Sequence, residues 1–70
     1  MYKNRKITCF FADGSGWVFR EVGPNKWTVE DIYADGDRNI NESVRSRHSV
    51  EDLVVIAALV PGSVIRTEEV

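Results

Sequence analysis

The stretch SVEDLVVIAALVPG, residues 49–62, decides how the chain folds. Its centre, residues 53–60, is eight apolar residues in succession. Ser49 is a favoured helix N-cap, and Asp52 stands three residues on, where a capping box prefers Glu or Gln. Glu51 and Asp52 suit the positive end of a helix dipole. Ala57 and Ala58 are strong helix formers, and Pro61-Gly62 ends the run. Together these signals predict a helix over residues 50–60. A buried strand over residues 53–60 is the alternative, favoured by Val54, Val55 and Ile56, because periodicity does not separate the two in so short a run.

At 100° per residue, Val50, Leu53, Val54, Ile56, Ala57 and Val60 share a broad arc that is expected to pack on a sheet. Glu51, Asp52, Val55, Ala58 and Leu59 fall on the opposite side. That outer side is acidic at first and apolar later. Val55 and Leu59, four apart, are surface neighbours. Each large apolar side chain left in water forgoes about 1.5–3 kcal/mol of burial, and a small domain is held by on the order of 5 kcal/mol. Either another segment covers this face, the N-terminal arm or the loop at residues 34–39, or it meets a partner.

The segments before and after the helix read as strands. KITCFFA (residues 6–12) and WVFREV (17–22) are rich in β-branched and aromatic residues. WTVEDIY (27–33) alternates large apolar with polar residues. DGSG (13–16) and GPNK (23–26) are turns between them. After a loop at residues 34–39, INESVRSR (40–47) alternates and is a fourth strand, placed at an edge. SVIRTE (63–68) is a fifth. The expected fold is one small α+β domain over residues 1–70: an antiparallel sheet of four to five strands, order 5-1-2-3-4, with the helix packed on one face. Bulky residues fall on both faces of these strands, so an aromatic-bearing face is expected to remain open.

Bulk composition narrows the function classes. Seventy residues with one cysteine, Cys9, allow no internal disulfide. Without a cysteine/histidine cluster there is no structural zinc, and association is the remaining way to reinforce so small a core. A formal net charge of −2 argues against nucleic acid as the main partner. The apolar run at residues 7–12 is too short for a signal peptide, and nothing approaches a membrane span of about 20 apolar residues. A cytoplasmic protein with no membrane contact and Cys9 reduced is the expectation.

Few constellations suggest chemistry. Asp35, Asp37, Asn39 and Asn41 alternate as at the start of an EF-hand loop, but Ile40 stands where the bend glycine belongs and Ser46 where the closing glutamate belongs. No calcium site or other metal site is expected, and no cofactor. Arg45, Arg47 and His48 precede the predicted helix and are candidates to hold an anion at its N-terminus. His48 and Ser49 are adjacent in sequence, a poor geometry for a nucleophile and its base, and Cys9 sits inside a strand. The chain is therefore not expected to be an enzyme.

The acids Glu30, Asp31, Asp35, Asp37 and Glu42 cluster within thirteen residues, with Arg38 among them. Such a cluster suits docking on a basic surface. The expected function is non-enzymatic protein binding, as an inhibitor, antitoxin-like or accessory factor. Val55, Ala58 and Leu59 supply an apolar contact, and Glu30, Asp31, Asp35 and Asp37 a charged one. The partner is another protein or, in a homodimer, a second copy. The alternative is a nucleic-acid-binding module using the aromatic strands with Arg20, Lys26, Arg45 and Arg47.

Overall fold

The computed structural model describes residues 3–69, with the side chain of Glu42 excepted. Five strands and one helix follow in the order β1 (Arg5–Phe10), β2 (Gly16–Gly23), β3 (Lys26–Ile32), β4 (Arg38–Arg45), α1 (Arg47–Ala58) and β5 (Val64–Glu69). The strands form one antiparallel sheet in the order β4-β3-β2-β1-β5, which from the other edge reads β5-β1-β2-β3-β4. The α+β class expected from the sequence is the class observed: α1 lies on one face of this sheet.

Strand alternation decides which side chains meet the helix. Cys9, Phe19, Trp27 and Val29 point to it and form the core with Val50 and Ala57. Ile7, Phe11, Trp17, Leu53, Val54 and Ile65 pack around that core. The Phe11 and Trp17 rings meet edge to face with centroids 5.4 Å apart, a favourable aromatic geometry. Cys9 is fully enclosed, and burial pushes its thiol pKa up, so it behaves as a small core residue.

The helix begins three residues earlier than predicted. Ser46, not Ser49, is the N-cap, and its Oγ accepts the Ser49 N–H at 3.2 Å. The Arg47 N–H is taken by Asn25 Oδ1 at 2.9 Å. Asn25 stands in the two-residue turn between β2 and β3, where Pro24 precedes it and its own φ is 55°. A residue tolerant of positive φ is needed there, and the same asparagine then anchors the helix start. Residues 53–58 are helical, so the buried-strand alternative is not adopted. Arg47 moves with this boundary onto the helix and does not share a strand face with Arg45.

The inner arc is narrower than the sequence suggests. Val50 and Ala57 are buried and Leu53 and Val54 half-buried, but Ile56 and Val60 are exposed. The physical reason is direction. The helix starts beside the end of β4, at one edge, and hands over to the start of β5, at the other. Its last turn reaches the β5 edge, where Ala57 is buried and Ile56, about 100° further round the helix, faces out.

Glu21 is the buried charge of the core side. Its Oε1 accepts the N–H groups of Lys3 and Arg5 at 3.2 Å each and the Arg5 Nε–H at 3.3 Å. Burial pushes its carboxyl up, but the Arg5 N–H, the Arg5 guanidinium, the Lys3 N–H and the Arg5 charge outweigh it, and the net shift is downward. Arg5 in turn lies over the Trp27 ring, 5.4 Å from its centroid. A lowered folded-state pKa means that Glu21 stabilises the fold above the ordinary glutamate value of about 4.3. The contribution is lost as pH falls through the folded-state value. Acid titration of stability is therefore expected to be steeper in the wild type than in Glu21→Gln; superimposable curves would contradict this role.

Candidate functional site

The turns and connections gather at two ends of the sheet. One end holds the β1–β2 turn, the β3–β4 turn and the connection from α1 to β5. The other holds the β2–β3 turn, the start of β1 and the N-terminus of α1. Charge is uneven along the same axis. At the first end Asp13, Asp35 and Asp37 are exposed, and none is in an ion pair among the described residues. The Ser15 hydroxyl and N–H donate to Asp13 Oδ1 and hold its carboxyl below the usual carboxylate value. Asp35 Oδ1 accepts the Asp37 N–H at 2.9 Å and shapes its turn. At the second end stand Arg5, Lys26, Arg45, Arg47 and His48 together with Glu21, Glu51, Asp52 and Glu69, so both signs meet there and several are paired.

The outer face of α1 joins the two ends. Leu59 is 78% exposed, Val55 60% and Ile56 55%. Val60 and Ala58 beside them are also exposed. The predicted apolar contact residues Val55, Ala58 and Leu59 are thus on one uncovered surface, which Ile56 and Val60 extend. The loop at residues 34–39, one of the segments expected to cover this face, instead forms the β3–β4 turn at the end of the sheet and the start of β4. Lys3 donates to Glu21 on the core side. Residues 1 and 2 of the arm lie outside the described residues.

Four of the five acids of the sequence cluster, those with described side chains, do not act alike. Asp35 and Asp37 sit together on the exposed turn. Glu30 lies on the face away from the helix, where it pairs with Arg38 at 2.8 Å and Arg20 at 3.9 Å. Its charge is spent within the sheet. Asp31 points to the helix side, opposite Trp17 and Asn39, and is half-buried.

The anion site expected at the helix N-terminus is already supplied with oxygens. Asn25 and Ser46 take N–H groups of the first turn. Arg47 Nε donates to Glu51 at 2.8 Å, and His48 Nε2 faces Asp52 Oδ2 at 3.6 Å, each four residues along the helix. Arg45 stands across from Trp27 on the β3–β4 ladder. The expected set Arg45, Arg47 and His48 is therefore divided, two residues paired within the helix and one on the sheet.

The aromatic strand residues also differ from expectation. Trp17, Phe19 and Trp27 all turn to the helix, so among the described residues the open face carries Phe10 as its ring and no aromatic platform. Among the described residues, no group of three or more His, Cys, Asp or Glu side chains is gathered as a metal ion would require. Asn39 and Asn41 belong to β4, and Asn41 Oδ1 accepts the Ser43 N–H at 2.9 Å. No helix among the described residues is long and apolar enough to cross a membrane. Comparison with known proteins finds no matching family, no similar curated protein and no similar solved structure.

Proposed function

We propose that the chain is a small non-enzymatic protein-binding module that docks through the outer face of α1, and that a second copy of the chain is its occupant. The observation that carries this is the exposure of Val55, Ile56, Leu59 and Val60 on one helix face. Such a patch marks a contact surface more often than an idle one. A stable interface removes about 800 Å² from each partner, more than one helix stripe supplies. The charged ends can complete it. Two helices packed antiparallel about a two-fold axis bring Asp35 and Asp37 of each copy toward Lys26 and Arg45 of the other, none of which is in an ion pair among the described residues. Each contact then occurs twice, as an isologous interface requires. A different protein with an apolar groove and a basic rim would meet the same surface by the same chemistry.

Sedimentation at micromolar to millimolar concentration tests the proposal. The wild type is expected to form dimers, and raised salt to weaken them as the charged ends are screened. Leu59→Glu is expected to weaken association by more than about tenfold, because losing a central apolar anchor costs about 2 kcal/mol or more. Its melting temperature at low concentration should match the wild type, since Leu59 is largely exposed among the described residues. A wild type that stays monomeric throughout, or a variant that associates equally well, would remove this surface from consideration.

A further inference from the structure

The face of the sheet away from the helix holds a groove of about 340 Å³. Strand register lays its side chains out in rows. One row runs Val64, Phe10, Gly16, Ile32, Arg38 across the five strands. The next runs Arg66, Thr8, Val18, Glu30, Ile40. A third begins Glu68, Lys6, Arg20. Gly16 contributes no side chain between Phe10 and Ile32, and the row is hollow at that point. No helix covers this face, yet Val18 is only 3% exposed and Ile32 6%. They are the floor, and Phe10, Val64 and the charged side chains are the walls.

Charge around the groove is uneven. The chain as a whole carries −2. Among the described side chains around the groove, Lys6, Arg20, Arg38 and Arg66 stand against Glu30 and Glu68, four cations against two acids. Glu30 is engaged by Arg38 and Arg20. Lys6 and Arg66 have no ion pair among the described residues. They are diagonal neighbours on β1 and β5, and Glu68 lies across from Lys6. Two cations and one acid leave one positive charge at that corner, beside an apolar floor.

We propose that this groove binds a small aliphatic monocarboxylate, its chain lying over Val18 and Ile32 beside Phe10, and its carboxylate held by Lys6 and Arg66 on the neighbouring strands β1 and β5. Local charge selects the head group. One carboxylate balances the surplus at Lys6 and Arg66, whereas a doubly charged phosphate leaves a negative charge facing Glu68. Arg66 offers the fork of donors that matches a carboxylate, and Lys6 adds a point charge. The floor selects the body, because Val18 and Ile32 are aliphatic. The volume falls at the lower end of the range of small-molecule pockets, about 300–1,000 Å³. This site lies on the face opposite α1 and does not depend on how the helix is used.

Titration of isotope-labelled protein with decanoate, followed by amide chemical shifts, is the test. Saturable shifts are expected along β1, β2 and the facing residues of β5. Arg66→Gln, and separately Lys6→Gln, should each weaken binding about tenfold, the worth of a hydrogen bond to a charged group. Both residues are on the open face, and their variants should melt with the wild type. Inorganic phosphate, which lacks the chain, and decylamine, which inverts the charge, should not produce the saturable pattern. An absence of shifts with decanoate, equal binding of decylamine, or shifts centred on Val55 and Leu59 would overturn the proposal. The last pattern would mean adsorption on the apolar helix face.

Discussion

Trp27→Ala is expected to abolish cooperative folding at room temperature. Trp27 is 1% exposed and is the largest fully buried side chain of the core. It packs among Cys9, Phe19, Val29, Val50 and Ala57, and its ring also carries the Arg5 guanidinium. Arg5 in turn holds Glu21, so the deletion removes both a core volume and the support of the buried charge. Replacing a buried aromatic by alanine costs about 3–5 kcal/mol, and a domain this small is held by on the order of 5 kcal/mol. The two figures nearly cancel. Thermal unfolding followed by far-ultraviolet circular dichroism, with the amide spectrum beside it, reads the result. A sloping trace without a transition and a collapsed amide spectrum are expected. A cooperative melt within a few degrees of the wild type would show that the core does not depend on this residue. Trp27→Phe should be far milder, because it keeps a ring and removes an indole N–H that has no acceptor among the described groups.

Gly16→Ala should be nearly as damaging, for a reason of backbone geometry. A Cβ built on Gly16 lies 2.0 Å from the Cys9 carbonyl oxygen and 3.2 Å from the Phe10 Cα. Both neighbours are backbone, at the turn end of the β1–β2 ladder, so no side chain can swing aside. The strands must separate where Gly16 pairs with both Phe10 and Ile32. Overpacking of this kind costs about 1–3 kcal/mol. For a domain of this size about 2 kcal/mol lowers Tm by roughly 8–16 °C. Gly36→Ala is the comparison, because a Cβ there meets nothing within 4 Å, although its φ of 94° adds backbone strain. Gly16→Ala is expected to melt well below Gly36→Ala, and equal melting temperatures would contradict the close approach.

Strand alternation made the sheet legible. Ile7 and Cys9, Trp17 and Phe19, Trp27 and Val29 each stand two apart, and each pair lies on the covered face. The same alternation puts Lys6, Thr8 and Phe10 on the other face, so the basic side of the groove was also present in the pattern of β1. Which face the helix would choose was not legible, because bulky residues fall on both. On β4 the pattern fails for a local reason. Val29 pairs with Asn41 but Trp27 with Arg45, so β4 spends four residues where β3 spends two, and a bulge breaks the alternation.

The helix start was misplaced because SRHS, residues 46–49, offers two serines three apart, either of which makes a good cap. The acids after Ser49 favour it by local rules. What decides for Ser46 is Asn25, twenty-two residues earlier, which takes the Arg47 N–H. Such a contact depends on the completed sheet and leaves no local trace in the sequence. The outer apolar face was legible from helical spacing through Val55 and Leu59. Its extension through Ile56 and Val60 was not, because helical spacing does not say how wide an arc of the helix the sheet covers.

Isotope-filtered NMR on a mixture of labelled and unlabelled protein tests most directly whether the outer face of α1 is the contact surface. Intermolecular contacts are predicted from the Leu59 methyl groups to Val55 and Ile56 of a second copy, with none from Val18 or Ile32 on the opposite face. Intermolecular contacts confined to the backbone edges of β4 or β5, or none at concentrations where the protein sediments as a dimer, would contradict the account.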